Sequence, residues 1–173
     1  MRKLLFGLAA AAITLPAHAA LPVGAKAPDI VTTGALAGKA FRLHLKDELK
    51  KGPVVLYFFP EAFTEGCTFE AHAFSDASAQ FRKAGAQVIG MSRDALPKLE
   101  QFSVKECRNN FPVATATPTI VRAYDVFWAE HPQYTTRTSY VIDRSGRIVM
   151  AYDDPKWNDH VARTLAAVKS LKH

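Results

Sequence analysis

Two almost continuous apolar runs, at residues 53–59 and 86–92, constrain the fold of this chain more than any other feature. Both have the length of a strand, and neither alternates between apolar and polar residues as a strand with one wet face does. Strands of this kind are covered by helices on both faces. The two runs therefore predict the central strands of an α/β fold.

Helical periodicity fills the segment between these two strands. Apolar residues recur at helical spacing at Phe69, Ala73, Phe74, Ala77 and Phe81. This spacing predicts a helix over residues 67–83 that ends before Gly85.

The rest of the chain continues the alternation of helices and strands. A second helix is predicted over residues 97–107, and residues 138–143 and 147–152 are predicted to form an antiparallel hairpin around a turn that contains Gly146. Asn158 is the expected N-cap of a final helix. The predicted apolar face of that helix consists of Val161, Leu165, Val168 and Leu171.

Residues 1–19 have the order of a secretory signal peptide. Arg2 and Lys3 supply positive charge, an uncharged apolar stretch follows, and residues 16–19 end in the small-residue pattern of a cleavage site. A membrane anchor is the alternative, but a spanning helix needs about 20 apolar residues and this stretch breaks at Pro16. We expect cleavage between Ala19 and Ala20, and a periplasmic mature protein.

The remaining residues, 20–173, have the length of one domain that can bury its own core. Loss of Arg2 and Lys3 lowers the formal charge of +6 by two. The basic residues that remain are scattered and no aromatic residues interleave them, which argues against nucleic-acid binding. We expect a single domain that binds neither nucleic acid nor, after cleavage, a membrane.

Cys67 lies where the first predicted strand meets its helix, a position that favours a reactive thiolate. In open α/β sheets, ligands bind beyond the carboxyl ends of the strands, where helix N termini present unpaired N–H groups. A cysteine in the first helical turn ionises more readily and becomes a nucleophile. Thr64 can place its hydroxyl in the same pocket. Pro60 has no N–H and can cover the thiolate without competing for a hydrogen bond.

Pro60, Thr64 and Cys67 are spaced as Pro-x-x-x-Thr-x-x-Cys, and this pattern resembles the active site of the peroxiredoxins. Residues 24–29 are similar to the family's opening segment, so the resemblance spans nearly the whole of residues 20–173. It implies a thioredoxin-like fold with a central mixed sheet flanked by helices. It also implies a thiol peroxidase that reduces hydrogen peroxide and organic hydroperoxides through a sulfenic acid on Cys67, with no metal or organic cofactor.

The same resemblance assigns two charged residues to the site. Residues 137–143 are similar to the segment that carries the family's active-site arginine, which makes Arg137 the residue expected to stabilise the thiolate and the departing oxygen. Glu70 is a supporting candidate that can orient polar groups of the site. Its simpler interpretation is a carboxylate that complements the helix dipole.

The local sequence most resembles the Q-type branch, also called the bacterioferritin comigratory protein branch. Many members carry a resolving cysteine five residues after the first, and His72 occupies that position here. Other members place it in the following helix, so the resemblance makes Cys107 the resolving candidate for an intramolecular disulfide. Two alternatives stay open, namely a one-cysteine peroxidase that uses an external thiol and a non-catalytic binding module with a structural disulfide.

Other classes of protein match the sequence less well. A disulfide oxidoreductase of the thioredoxin type requires Cys-x-x-Cys, and a copper carrier requires a ligand motif that the histidines do not form. For the peroxidase we expect a thioredoxin-like or other thiol reductant and a monomer or weak dimer. Phe127, Trp128 and Tyr134, which precede Arg137, are the candidates for an apolar collar around an organic hydroperoxide, or else they pack in the core.

Overall fold

The computed structural model describes residues 20–171 of the chain. The predicted signal peptide lies outside these residues, and its cleavage stays a prediction. The elements of the described part follow in chain order: β1 (Val31–Leu36), β2 (Lys39–His44), α1 (Leu45–Lys51), β3 (Val54–Phe58), α2 (Glu65–Lys83), β4 (Gln87–Ser92), α3 (Leu96–Lys105), β5 (Val113–Thr115), α4 (Pro118–Ala123), β6 (Thr138–Ile142), β7 (Ile148–Asp153) and α5 (His160–Ser170).

The strands form one mixed sheet in the order β2-β1-β5-β4-β3-β6-β7. β3 pairs parallel with β4, and β4 pairs parallel with β5, whereas the other neighbours are antiparallel. β3 and β4 therefore hold the central positions that their apolar runs predict, and β6 and β7 form the predicted antiparallel hairpin. The predicted α/β architecture is confirmed.

Successive side chains of β3 point into two apolar clusters, one on each face of the sheet. Val54, Leu56 and Phe58 join the cluster that α1 and α4 cover. Val55 and Tyr57 join the cluster that α2, α3 and α5 cover. Because all five β3 residues are buried, the strand needs no polar face, which explains its uninterrupted apolar sequence.

The first helix prediction is accurate at its end and two residues late at its start. α2 begins at Glu65, so Cys67 lies within the first helical turn rather than at its first position. The helix ends at Lys83, and Gly85 follows with the positive φ of a left-handed residue. Phe69 is not part of the buried face, since it is 46% exposed.

The other two helix predictions need correction. α3 runs from Leu96 to Lys105, so Cys107 lies in the turn beyond it and not inside the helix. α5 begins at His160 with Asp159, not Asn158, at the N-cap position. Its fully buried side chains are His160, Thr164 and Val168, and the predicted apolar residues Val161, Leu165 and Leu171 flank that face with partial burial.

Within residues 20–171, no helix has both the length and the apolar character that crossing a membrane requires.

Candidate active site

Cys67 is a buried thiol in the first turn of α2, with 1% of its surface exposed. β3 ends at Phe58, and the loop that follows turns the chain into α2 at Thr64. The N–H groups of the first turn have no partners within the helix, so they point toward this end and favour negative charge there. The local structure therefore places the sulfur where a thiolate is stabilised.

Arg137 reaches Cys67 because of the pairing between β3 and β6. Thr138 at the start of β6 lies opposite Phe58 at the end of β3. Arg137 therefore precedes β6 at the edge of the sheet where β3 leads into the loop before Cys67. The Arg137 Nη2 atom lies 3.4 Å from Cys67 Sγ, within hydrogen-bond distance of sulfur.

Three contacts fix the guanidinium of Arg137, whose side chain is 7% exposed. Besides Cys67, its Nη1 donates to Glu70 Oε2, and its Nε donates to the Pro155 carbonyl at 3.0 Å. Burial alone would lower the pKa of Arg137, but the neighbouring Glu70 and Cys67 raise it above the ordinary value. Arg137 is therefore a fixed positive charge beside the thiol.

Glu70 is fully buried on the next turn of α2 and forms a salt bridge with Arg137. Burial raises the pKa of Glu70 to about 8, although the charge of Arg137 opposes the shift. Its second oxygen, Oε1, lies 3.9 Å from Nδ1 of His160, which is also fully buried. Arg137, Glu70 and His160 thus form a row of ionisable groups that extends from Cys67 to α5.

A cleft of about 610 Å³ opens beside Arg137. Its walls are mainly apolar and aromatic, with two carboxylates among them. The lining residues are Pro60, Glu61, Thr64, Trp128, Tyr134, Thr136, Arg137, Asp153 and Pro155. Arg137 both lines this cleft and contacts Cys67, so it connects the space available to a substrate with the sulfur.

Pro60 and Thr64 both line the cleft, as expected from their spacing to Cys67. The Thr64 hydroxyl donates to the Glu61 carbonyl at 3.0 Å, which leaves its lone pairs directed away from that bond. Glu61 itself is paired with Lys98 at 2.8 Å. The loop before Cys67 is thereby held by its own contacts.

Cys107, the other cysteine, is also a free and fully buried thiol. It belongs to the same apolar cluster as Cys67. Burial, followed by the charge of Glu106, raises the pKa of Cys107 well above its ordinary value. Cys107 is therefore a protonated thiol in this structure, in contrast to the electropositive surroundings of Cys67.

Three polar contacts hold the segment around Cys107 against α2. His72 Nε2 and Glu106 Oε2 are 2.7 Å apart, Arg108 binds Asp76 at 2.7 Å, and Asn110 donates to Ser75 at 2.7 Å. We call these three pairs the α2 clasp. His72, which occupies the position of a resolving cysteine in many relatives, thus binds the residue next to Cys107.

Two of the three residues of the predicted aromatic collar lie at the cleft, and their contact with a substrate stays a prediction. Trp128 and Tyr134 line the cleft, whereas Phe127 is 51% exposed and lies on a separate groove. His160 was not predicted as a site residue, since a lone histidine in a helix gives no sequence signal. The only pattern that includes it is the recurrence of His160, Thr164 and Val168 at intervals of four residues, which places all three on one helix face.

A family model, curated relatives and solved structures all assign this chain to the same family. The model of the AhpC/TSA family matches residues 23–151. Peroxiredoxin Bcp of Bacillus subtilis is 30% identical over 156 residues, which is 87% of this chain and 97% of the relative. The identity and the coverage together establish common descent over almost the full length of both proteins.

Solved structures agree with this assignment. Peroxidoxin BcpB of Mycobacterium tuberculosis has a TM-score of 0.78 and 26% identity, and covers 87% of this chain and 98% of its own. The bacterioferritin comigratory protein of Xanthomonas campestris, studied for alkyl peroxide reduction, has a TM-score of 0.71 and 28% identity. That match covers 80% of this chain and 90% of the Xanthomonas chain. These neighbours confirm the predicted thioredoxin-like fold, and the chain belongs to the AhpC/TSA family as a peroxiredoxin of the bacterioferritin comigratory protein and Q type, a thiol-dependent enzyme that reduces hydroperoxides.

Proposed function

We propose that Cys67 is the cysteine that attacks the peroxide and that Cys107 resolves the product as an intramolecular disulfide. The observation that carries the first part is the 3.4 Å contact between Arg137 Nη2 and Cys67 Sγ beside an open cleft. Among the described residues no cation is hydrogen-bonded to Cys107, and its raised pKa keeps it a thiol. A guanidinium lies against the sulfur of Cys67 alone, which makes Cys67 the candidate nucleophile.

In the first step the Cys67 thiolate attacks the terminal oxygen of the hydroperoxide. A sulfur–oxygen bond forms and the O–O bond breaks, so the sulfur is oxidised to sulfenic acid and the peroxide is reduced to an alcohol or water once the leaving oxygen takes up a proton. Negative charge moves from sulfur to the leaving oxygen during this step. Arg137 is held by Glu70 and the Pro155 carbonyl, so it can stabilise that charge without reorganising.

In the second step the Cys107 sulfur attacks the sulfenic acid, water leaves, and a disulfide forms. A thioredoxin-like dithiol or another thiol then reduces this disulfide. Bond formation brings the two sulfurs to about 2.05 Å, so at least one of the two segments has to move from its position in the reduced protein. The turn after α3 is the candidate, because helix ends and turns open at much lower cost than the whole domain.

Peptide mapping after oxidation tests the proposed disulfide. Trypsin releases Cys67 in the peptide of residues 52–82 and Cys107 in the peptide of residues 106–108. One equivalent of hydrogen peroxide should link these peptides with the loss of two hydrogens. The reduced sample supplies the control, in which both peptides are separate.

Isotope mixing distinguishes a bond within one chain from a bond between chains. When equal amounts of ¹⁴N and ¹⁵N protein are oxidised together, an intramolecular disulfide gives linked peptides that are both light or both heavy. Mixed pairs, a Cys67–Cys67 link, or sulfinic Cys67 beside a free Cys107 would contradict the proposal. The last two outcomes would favour a one-cysteine mechanism with an external thiol.

We propose organic hydroperoxides as substrates alongside hydrogen peroxide. The cleft is larger than hydrogen peroxide requires, and Trp128 and Tyr134 offer apolar surface to an alkyl or aryl group. The Xanthomonas campestris relative was studied for alkyl peroxide reduction, and its similarity to this chain supports the same substrate class here.

Trp128→Ala should lower the rate constant for cumene hydroperoxide by about tenfold, the factor that corresponds to losing about 1.4 kcal/mol of apolar contact. The rate constant for hydrogen peroxide should stay within about twofold, because that substrate has no apolar group to bury. Stopped-flow measurement of both peroxides gives the two constants. Phe127→Ala is the matched control, since Phe127 lies outside the cleft. An equal loss with both peroxides would show that Trp128 supports the fold and does not contact the substrate.

We also propose that the enzyme acts in the periplasm as a single domain of residues 20–173. The charge, the apolar stretch and the small-residue end of residues 1–19 support export.

A further inference from the structure

Asp153 is a carboxylate at the rim of the cleft that Arg137 lines. It is the last residue of β7 and pairs across the sheet with Thr138, the residue that follows Arg137. The Thr138 hydroxyl donates to Asp153 Oδ1 at 2.7 Å, which holds the carboxylate at the cleft. Because the side chain is exposed to water, it is ionised at neutral pH.

The charge of Asp153 is not balanced by a cation. Among residues 20–171, no lysine, arginine or histidine forms an ion pair with it. Partial burial raises the pKa of Asp153, the hydrogen bond from Thr138 lowers it, and the charges of Asp154 and Asp125 raise it further. The charged groups that influence Asp153 are thus acids like itself.

Arg137, the cation that lines the cleft, is already engaged by acidic groups. Its guanidinium contacts Glu70 and Cys67. When Cys67 is a thiolate, as the reaction with peroxide requires, that one anion balances the charge of Arg137, and Glu70 adds no positive charge. Arg137 therefore has no surplus charge with which to attract a carboxylate on the substrate.

Lys98, a cation behind the wall of the cleft, is engaged in the same way. It holds the lining residue Glu61 at 2.8 Å and also binds Asp94 at 2.8 Å. One positive charge thus faces two carboxylates. Together with Asp153, this arrangement gives the cleft a surplus of negative charge.

The cleft is small enough for this charge to act on a substrate. A sphere with the volume of the cleft, about 610 Å³, is about 10 Å across, which is about one Debye length at 0.1 M salt. A carboxylate on a bound substrate would lie within that distance of Asp153 and would be repelled by it. The net positive charge of the whole chain comes from scattered residues, most of them farther away, and salt screens it.

We propose that the cleft selects uncharged organic hydroperoxides over those that carry a carboxylate near the peroxide group, and that Asp153 sets this preference. The apolar part of the substrate packs against Trp128 and Tyr134, and Asp153 acts on its substituent by charge alone. Asp153 takes no part in the bond changes at Cys67. The proposal rests on the proposed use of this cleft for organic hydroperoxides, and it narrows that substrate class.

Two derivatives of cumene hydroperoxide test the proposal, one with a carboxylate and one with a carboxamide at the para position. They match in size and shape and differ in charge. In single-turnover stopped-flow measurements, the unsubstituted protein should react about tenfold faster with the carboxamide. Asp153→Asn keeps an acceptor for the Thr138 hydroxyl and should lower this ratio to about twofold. The intrinsic reactivities of the two peroxides cancel when the ratios of the two proteins are compared.

Asp47→Asn is the matched control. Asp47 belongs to α1, which leads into the start of β3, whereas the cleft lies beyond the end of that strand. The length of β3 separates this aspartate from the cleft, so salt screens its charge and the ratio should stay at about tenfold.

Salt dependence tests the proposal on the unsubstituted protein, which covers the case in which Asp153→Asn does not fold. A rise from about 0.05 M to about 0.5 M salt should bring the two rate constants closer together, because it screens the repulsion. A ratio independent of salt, or a faster reaction with the carboxylate, would overturn the proposal.

The ratios also separate this proposal from the proposed function. Reduction of both derivatives with the same ratio in the unsubstituted and Asp153→Asn proteins would overturn the role of Asp153 alone. Reduction of hydrogen peroxide but of neither derivative would overturn the proposed class of organic substrates, and the selectivity with it.

Discussion

Replacement of Cys67 by serine should reduce peroxidase activity to background. Serine cannot form an anion at neutral pH, and removal of a catalytic nucleophile lowers turnover by a factor on the order of 10⁶. Consumption of hydrogen peroxide by the purified variant with a thiol reductant measures the loss. Cys67 is 1% exposed, so a polar hydroxyl there costs some stability, and thermal unfolding should show a small decrease with the fold intact.

Cys107→Ser is the matched control for this experiment. Both cysteines are buried in the same apolar cluster, so the two substitutions impose a similar packing cost. The Cys107 variant should still consume one equivalent of peroxide in a single turnover, because Cys67 and Arg137 are unchanged. Turnover that persists without Cys67 would show that the nucleophile is another group.

Arg137→Ala should lower the second-order rate constant with peroxide by about 10² to 10³, the range for loss of one donor from a preorganised anion site. The variant removes the hydrogen bond to Cys67 Sγ and the charge that stabilises the leaving oxygen. Stopped-flow kinetics under single-turnover conditions give the constant. Arg137→Lys should recover only part of the rate, since an ammonium cannot reproduce the three directed contacts of the guanidinium.

The effect on Glu70 has to be separated from the effect on Cys67. Without Arg137, burial raises the pKa of Glu70 unopposed, so Glu70 binds a proton at neutral pH and does not remain as an unpaired buried charge. The variant should therefore stay folded, which circular dichroism and thermal unfolding can check. Arg122→Ala is the control, because Arg122 is exposed and lies on a different groove. An Arg137→Ala rate equal to that of the unsubstituted enzyme would remove Arg137 from the mechanism.

The central elements of the fold were predictable because burial on both faces leaves a strong signal. β3 and β4 are apolar throughout, and the long α2 repeats its buried residues at helical spacing. The peripheral strands β1 and β2 were not predicted, since each has only one or two buried residues and therefore little pattern. The short helices α1 and α4 are fixed by tertiary packing, which sequence periodicity over six or seven residues cannot reveal.

The site was predictable where chemistry and spacing coincide. Pro60, Thr64 and Cys67 lie in one continuous segment, and Arg137 followed from a resemblance between segments. The buried part of the site was not predictable. Glu70 and His160 lie close together because α5 packs against α2, and no local sequence pattern encodes that packing. The position of Cys107 beyond the end of α3 also depends on where the helix stops, and helix ends are the least certain part of a sequence pattern.

The α2 clasp bears on how the enzyme withstands excess substrate. It holds the segment around Cys107 through His72, Asp76 and Ser75, while Arg108 and Asn109 within that segment have left-handed backbones with φ of 51° and 59°. A left-handed backbone costs a non-glycine residue roughly 1–2 kcal/mol. The contacts of the α2 clasp therefore hold this segment in place, while the backbone conformation of Arg108 and Asn109 favours its release.

If Cys107 resolves the sulfenic acid as proposed, a tighter clasp would delay the arrival of Cys107 and lengthen the lifetime of the sulfenic acid. During that interval a second peroxide molecule would convert Cys67 to sulfinic acid, which thiols do not reduce. On this mechanism, the stability of the clasp would set the peroxide concentration above which the enzyme inactivates itself.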